Sequence, residues 1–513
     1  MAFPKITTWI LTCLSLAALI LLVACNQSGA ERASATASAE ILGNPARSTL
    51  TPAILSTPSP EIVTPTLQAE ASPDPALPAS FPSIQYKINA LFDYYQHQLK
   101  IEQDVVYTNR SEQPIPDLLL AVEANRWSGS FLLELLAWTD GGAITDYSLS
   151  DNRLHIPLPE PLPTGGSLGL RISYSLLLPE IPPPSELTRP HPYGYTERQT
   201  NLVDWYPTFP PYRSGEGWLL HEPWYYAEHQ VYDIADYQVT ITLLDPPDGL
   251  VLAASAMPEV EGESYTYNLS GARSFAWSAS PYYEVASETV GDVLVSSYYF
   301  PFDSEAGAAV LQHTVDALTL YTELFGAYPH ASLSAVEADF LDGMEYSGLY
   351  FLSRGFYNLY DGTPKGYLTA IAAHETAHQW WFERVGNDQA LEPWLDEALC
   401  AYAERLFYAR FYPDLVEWWW YFRVDYYQPS GPVNGTIYDF TGFRPYRDAV
   451  YLHGALFLED LRNLVGDEAF FAFLSDYTAR FTLAQAQATD FFTVLNEHSS
   501  VDISLLKSQY FSK

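Results

Sequence analysis

The sequence predicts an α+β chain of more than one domain, with a β-rich part followed by a mostly helical part. Short runs of alternating apolar and polar residues, separated by turn residues, continue to about residue 290. Beyond residue 300, apolar residues recur at helical spacing instead. With 513 residues, the chain can form two or three sizeable cores. We therefore expect an antiparallel β-sandwich-like domain over residues 83–295 and a mostly helical domain over residues 296–513.

The first 24 residues have the pattern of a signal peptide. Lys5 is the only charge, and an apolar run extends from Trp9 to Ala24. The run ends in Leu-Val-Ala-Cys, which resembles the bacterial lipobox, in which the cysteine carries a lipid. This resemblance predicts lipidation of Cys25 and an extracytoplasmic lipoprotein of the bacterial cell membrane. An ordinary signal peptide and an uncleaved anchor helix are the alternatives.

Residues 25–82 are rich in Ala, Ser, Thr and Pro and have no hydrophobic periodicity. Such a composition predicts a disordered tether that holds the folded part away from the membrane. Of the three cysteines, only Cys400 lies in the predicted folded part, which excludes an intrachain disulfide framework. We expect Cys400 to be a small buried apolar residue. The net charge of −37 argues against nucleic acid and anionic membrane surfaces as partners.

The chain is organised around one pentapeptide, His374-Glu375-Thr376-Ala377-His378. The surrounding residues are apolar and contain no Pro or Gly before Gly386, which predicts a buried helix that closes at Gly386-Asn387. Residues four apart share one face of a helix, so the two imidazoles can bind one Zn²⁺. Glu375 stands beside them, where it can take a proton from a zinc-bound water. The pentapeptide also occurs by chance, and two buried core histidines are the alternative.

A third metal ligand is predicted at Glu397, after eighteen intervening residues. Pro393 suits the first turn of a second helix, and Pro413 is expected to end it. The two helices would form an antiparallel hairpin that brings Glu397 back to the histidines. Glu404 lies two turns further on the same face and is a candidate acceptor for the free N–H of a ligand imidazole. The alternative is a solvated Glu404 paired with Arg405 or Arg410.

These residues resemble the aminopeptidase N and leukotriene hydrolase family of gluzincins. The zinc pattern matches, and Trp394-Leu395-Asp396-Glu397 resembles the family's Trp-Leu-Asn-Glu. The segment 321–329 resembles the helix and turn that lead to the family's substrate strand. The resemblance implies a thermolysin-like zinc catalytic domain with one Zn²⁺ per chain, held by His374, His378 and Glu397. Glu404 falls at the position of a family glutamate that supports a ligand histidine.

Gly343-Met344-Glu345 resembles part of the family's Gly-Ala-Met-Glu-Asn motif, in which the glutamate binds the free α-amine of the substrate. The resemblance implies that Glu345 captures a peptide N-terminus, with Met344 and Gly343 beside it. A carboxylate at a fixed distance from the metal would measure off one residue. Asp342 and Tyr346 depart from the motif. By its sequence alone, Glu345 would be a solvated acid in a turn.

The segment 446–455 resembles the family segment that carries a catalytic tyrosine three residues before a glycine, which corresponds to Tyr451 here. The resemblance implies that its phenol stabilises the oxyanion. We therefore predict a zinc aminopeptidase that removes N-terminal residues from peptides. A thermolysin-like endopeptidase, whose motif is one residue longer, and a catalytically silent zinc-binding surface lipoprotein are the alternatives.

Overall fold

The computed structural model describes residues 82–183 and 191–512. The predicted signal peptide, Cys25 and the predicted tether up to residue 81 lie outside these residues. In the described parts of the chain, no helix is both long and apolar enough to span a bilayer.

The first half of the described chain is β-rich. Its strands, in chain order, are β1 Ile84–Asp93, β2 Gln98–Thr108, β3 Ile115–Ala121, β4 Phe131–Trp138, β5 Ser148–Ser150, β6 Arg153–Leu162, β7 Ser167–Leu177, β8 Gly194–Tyr195, β9 Thr200–Leu202, β10 Tyr212–Arg213, β11 Gly217–Trp218, β12 Ala235–Leu244, β13 Val251–Ala254, β14 Pro258–Glu261, β15 Ser264–Ala272, β16 Trp277–Ser280, β17 Glu284–Val290 and β18 Val293–Tyr299. A largest sheet of seven strands has the order β14-β15-β12-β1-β2-β7-β4, and smaller sheets accompany it.

Strand alternation explains how this sheet forms its core. In β1 every second residue is buried, starting with Ile84, Tyr86 and Ile88, while the residues between them are exposed. Most neighbouring strands are antiparallel, as expected, but β1 and β12 run parallel. The prediction of a wholly antiparallel domain is therefore wrong at this pair. The long chain segment between the two strands permits a crossover, which a hairpin would not.

A second sheet continues from the β-rich half into the helical half. Its later strands are β19 Ser332–Ala338, β20 Gly343–Tyr346 and β21 Leu349–Ser353, and the sheet order is β17-β18-β19-β21-β20. The predicted domain boundary between residues 295 and 296 falls inside β18, so the sheet begins before that boundary. Nothing in the sequence of β17 and β18 distinguishes them from the preceding strands. The parallel pairing of β18 with β19 is what assigns them to this second sheet.

The second half of the described chain is mostly helical. Its α-helices are α1 Ser304–Phe325, α2 Arg354–Asn358, α3 Tyr367–Ala377, α4 Trp394–Phe411, α5 Val416–Trp419, α6 Phe443–Arg447, α7 His453–Val465, α8 Asp467–Arg480, α9 Ala488–His498 and α10 Ser504–Tyr510. This half also contains two π-helical segments, Trp420–Val424 and Asp448–Leu452, three short 3-10 helices, and the short parallel strand pair β22 Val385–Gly386 and β23 Ala484–Gln485. A large apolar core unites α1, α3 and α4 with the C-terminal helices.

The predicted helix around the pentapeptide is shorter than expected. α3 ends at Ala377, and His378 is its C-cap, whose N–H bonds the His374 carbonyl at 3.3 Å. The prediction of a helix that closes at Gly386 is therefore wrong. Phe382 has a positive φ of 146°, which no helix accommodates, and tertiary packing imposes this turn without any Pro or Gly.

One buried guanidinium joins the two halves. Arg273, 2% exposed, follows β15. It donates hydrogen bonds to the backbone carbonyls of Tyr232 and Glu383 at 3.0 Å each and of Ala484 at 2.8 Å. These carbonyls belong to the β-rich half, to the turn after α3 and to β23. Arg273 therefore fixes the loop ending at Tyr232 against the helical half.

Candidate active site and metal centre

Two helices bring the three predicted metal ligands together. α3 supplies His374 and, at its C-cap, His378, while the first turn of α4 supplies Glu397. The Nε2 atoms of His374 and His378 lie 3.1 Å and 3.6 Å from Oε2 of Glu397. All three side chains are buried. Two imidazoles and one carboxylate are a typical donor set for a catalytic zinc ion.

The hydrogen bonds made by the two imidazoles leave their Nε2 atoms available to bind a cation. Nδ1 of His374 lies 3.0 Å from Oε1 of Glu404, and Nδ1 of His378 lies 3.0 Å from the Trp381 carbonyl. These acceptors favour a proton on each Nδ1, which turns the Nε2 lone pairs toward Glu397. Three atoms with lone pairs then converge, and a cation is the group that satisfies them.

The electrostatics of His374 agree with a positive charge at this point. Burial by itself would lower the pKa of His374, but the hydrogen bonds with Glu397 and Glu404 raise it to about 9. Burial would likewise raise the pKa of Glu397, yet His374 and His378 hold it well below its usual range. The carboxylate is therefore ionised, as a metal ligand must be.

Glu404 lies behind His374 and accepts hydrogen bonds from three side chains. Besides His374, Arg423 donates to it through Nε at 2.7 Å and Nη2 at 2.6 Å, and Trp419 donates through Nε1 at 3.1 Å. Glu404 is 0% exposed and therefore is not a solvated surface residue. The arginines considered as alternative partners, Arg405 and Arg410, pair with other glutamates.

Glu375 points into the cleft beside the metal ligands. Its Oε2 has no hydrogen-bond partner in the described part of the chain, although the side chain is buried. Burial, together with Glu345 and Glu397, raises the pKa of Glu375 well above its usual range, which suits a proton acceptor. Gly343 makes room for this carboxylate, since a Cβ there would lie 2.0 Å from Oε1 of Glu375.

Tyr451 contacts the Glu397 oxygen that does not face the two histidines. It belongs to the π-helical segment Asp448–Leu452, and its hydroxyl donates to Oε1 of Glu397 at 2.5 Å. The phenol ring stacks on His374 with 5.9 Å between ring centroids. Burial and the nearby Glu397 raise the pKa of Tyr451 well above its usual range, so the hydroxyl keeps its proton. A protonated phenol can donate to an oxyanion.

Glu345 lies on β20, the edge strand that borders the cleft. The alternative of a solvated acid in a turn is wrong, because Gly343–Tyr346 pairs antiparallel with β21 and Glu345 is only 5% exposed. Gln389 donates to Oε1 of Glu345 at 3.0 Å. Burial raises the pKa of Glu345. Met344, on the same strand, lines a neighbouring cavity together with Gly343 and Glu345.

Seven of the predicted site residues share one cleft of about 280 Å³. Its lining includes Gly343, Glu345, His374, Glu375, His378, Glu397 and Tyr451. Sequence reasoning did not assign a role to several further lining residues, among them Glu228, Tyr367, Arg423 and Arg447. Glu228 and Arg423 come from segments distant from the motifs, whereas Tyr367 starts α3 and Arg447 lies four residues before Tyr451, but neither has a residue type that the zinc pattern requires. Cys400 is fully buried, and its Sγ lies 3.9 Å from the Trp381 carbonyl.

Comparison with known proteins finds a family match within the helical half. Residues 309–510 match the Peptidase family M1 domain. This M1 segment contains every predicted metal ligand, Glu375 and Tyr451. Aminopeptidase M1-D of Oryza sativa subsp. japonica is 27% identical over 226 residues, which are 41% of this chain and 26% of that protein. Endoplasmic reticulum aminopeptidase 2 of Homo sapiens is 27% identical over 253 residues, 46% of this chain and 26% of that protein.

The fold is shared more widely than the sequence. The M1 zinc metallopeptidase from Deinococcus radiodurans superposes with a TM-score of 0.58 at 18% identity, covering 82% of this chain and 92% of that one. The shared fold therefore includes the β-rich half as well as the M1 segment. The chain matches about a quarter of the length of the two aminopeptidases.

Proposed function

We propose that this chain is a zinc-dependent aminopeptidase that removes N-terminal residues from peptides. The observation that carries the proposal is the position of Glu345. It is a buried carboxylate on the edge strand of the cleft that also holds Glu375 and the three converging ligands. A substrate ammonium is the cation that such a carboxylate binds most readily. We also propose a thermolysin-like architecture for the helical half, which the α3–α4 arrangement supports.

His374, His378 and Glu397 would hold the zinc ion. When bound, zinc would polarise the attacking water and the scissile carbonyl. Glu404 and the Trp381 carbonyl orient the two imidazoles by accepting their Nδ1 protons. The acceptors keep both Nε2 atoms available as ligands.

The remaining chemistry falls to residues of the cleft. Glu375 accepts a proton from the attacking water and passes it to the leaving amine. Tyr451 donates its hydroxyl proton in a hydrogen bond to the oxygen that becomes negative in the transition state. Glu345 binds the substrate ammonium and thereby sets which peptide bond reaches Glu375. Because Glu345 holds the ammonium at a fixed distance from the metal ligands, a peptide bond further along the chain does not reach Glu375.

The test compares free and blocked substrates on the purified full-length chain loaded with zinc. We expect hydrolysis of aminoacyl reporters with a free amine and none of their N-acetylated counterparts. Glu375→Gln should lower kcat/KM by about 100-fold or more. Glu345→Gln should raise KM by about tenfold or more, because an ammonium loses its charged partner. Glu417→Gln, at an exposed position of α5, is the matched control.

Each other outcome has a definite meaning. Equal cleavage of N-acetylated substrates, with a harmless Glu345→Gln, would replace the proposal with an endopeptidase. Zinc binding without hydrolysis of any peptide would indicate a zinc-binding protein without peptidase activity.

We further propose that the chain is an extracytoplasmic lipoprotein of a bacterial cell membrane, anchored through Cys25. The support is the apolar run from Trp9 to Ala24 followed directly by Cys25. Expression in a bacterial host should place the wild-type protein in the membrane fraction. Cys25→Ser should prevent lipid labelling, and continued labelling of this variant would refute the anchor.

A further inference from the structure

A second cavity adjoins the metal cleft and has its own chemistry. This side pocket has a volume of about 310 Å³ and shares Glu228, Leu341, Gly343 and Glu345 with the cleft. A substrate whose ammonium binds Glu345 would therefore have the side pocket next to its first side chain. A cavity of this size accommodates a long amino-acid side chain.

Asp204 contributes a buried carboxylate to the side pocket. The residue is 9% exposed and lies in the left-handed region with φ 48°. Its Oδ1 accepts a hydrogen bond from the Tyr232 hydroxyl at 2.7 Å. The carboxylate is also part of the lining of the side pocket. A carboxylate that lines a cavity can accept a hydrogen bond from a ligand bound there.

The charges around the side pocket favour a cation. Asp204, Glu228 and Glu345 all line it. Arg126 lines it as well, but its guanidinium binds Glu123 at 2.9 Å. Among the described residues that line the side pocket, Arg126 is therefore engaged with Glu123, and Asp204 is the carboxylate that faces the pocket without lining the metal cleft.

Burial also makes the ionised form of Asp204 dependent on a positive partner. It raises the pKa of Asp204 to about 7, although the Tyr232 hydroxyl lowers it. A positive group placed beside Asp204 would favour the ionised carboxylate.

The walls of the side pocket suit a planar cation. Trp127, Trp224, Phe340 and Phe382 line it and supply aromatic faces or edges. A guanidinium stacks on aromatic rings and donates to carboxylates in its own plane, which an ammonium does less well. Aromatic walls with a carboxylate therefore match arginine better than any other side chain.

We infer that the side pocket binds the side chain of a basic N-terminal residue, arginine above all, and that Asp204 is its charge partner. The inference rests on the proposed function and specifies its substrate class. Asp204 acts as a specificity-determining residue, since it lines the side pocket and does not line the metal cleft.

The first test needs no mutation. The full-length, zinc-loaded protein is assayed with matched reporters that carry arginine, citrulline, leucine or glutamate as the N-terminal residue. Citrulline has the shape of arginine without its charge. We expect kcat/KM for arginine to exceed that for citrulline by about tenfold to a hundredfold, the range for a hydrogen bond between charged groups relative to a lost one.

The second test assigns the preference to Asp204. Asn tolerates the left-handed conformation and can still accept from Tyr232, so Asp204→Asn should fold. The ratio of kcat/KM for arginine over citrulline should fall to about 1 in this variant. Asp248→Asn, the same change at an exposed loop position, should retain the wild-type ratio.

The outcomes separate this inference from the proposed function. Equal rates for arginine and citrulline in the wild type would overturn the inference, while hydrolysis of both would uphold the aminopeptidase. A ratio that survives Asp204→Asn would overturn the role of Asp204. A preference for glutamate would assign the pocket to Arg126 instead and overturn the inference. Failure to cut any free-amine reporter would overturn both proposals.

Discussion

Replacement of Glu404 by Gln tests how the metal ligands are held. The Glu404 carboxylate accepts hydrogen bonds from His374, from two nitrogens of Arg423 and from Trp419. Burial would raise the pKa of Glu404, but Arg423 and His374 hold it below its usual value. A Gln side chain has one oxygen and one NH₂ group, so its NH₂ must face Arg423 or His374, which are donors.

The magnitude has two separable parts. Arg423 is 6% exposed, and a buried charge that loses its partner costs about 3–5 kcal/mol of unfolding free energy. Loss of the acceptor on His374 should weaken zinc binding by about 10- to 100-fold. That range corresponds to about 1.4–2.8 kcal/mol of binding free energy.

Two measurements separate these parts. Calorimetric unfolding of the metal-free protein reports the loss at Arg423, and zinc competition with a chelator reports the loss at His374. Glu459→Gln is the control, because Glu459 pairs with Arg405 on the neighbouring helix and its side chain is 21% exposed. The control should cost at most about 1 kcal/mol and leave zinc affinity unchanged. A Glu404→Gln variant with wild-type zinc affinity and stability would refute the reasoning.

Three further predictions concern single positions. Gly343→Ala should lower kcat by about 100-fold or more with zinc content unchanged, because the new Cβ would lie 2.0 Å from Oε1 of Glu375; a near-normal kcat would contradict this. Tyr451→Phe should lower kcat by about 100- to 1000-fold with little change in KM, and a change in KM alone would argue against an oxyanion donor. Burial raises the pKa of Glu337 from 4.5 to about 9, so folding binds a proton and stability falls as pH rises between these values. Glu337→Gln should therefore raise Tm at pH 8 more than at pH 5, and equal shifts at both pH values would refute that assignment.

The local part of the site was accessible from sequence. The spacing of His374 and His378 predicts one shared helix face, because helical geometry depends on near neighbours along the chain. Pro393 marked the start of α4, which begins at Trp394. The change from strands to helices near residue 300 was likewise predictable from sequence, because the alternation of strands and the periodicity of helices are local patterns.

Only the tertiary structure decided the rest. The turn after Ala377 has no Pro or Gly to announce it, and packing around Phe382 imposes it. Arg423 reaches Glu404 across the turns after α4, and Asp204 enters the side pocket from the β-rich half. Such contacts depend on how separate elements pack, and no spacing within one element encodes them. The sequence by itself determined the chemistry available to the metal, while the packing of the two halves decided which carboxylates face the substrate.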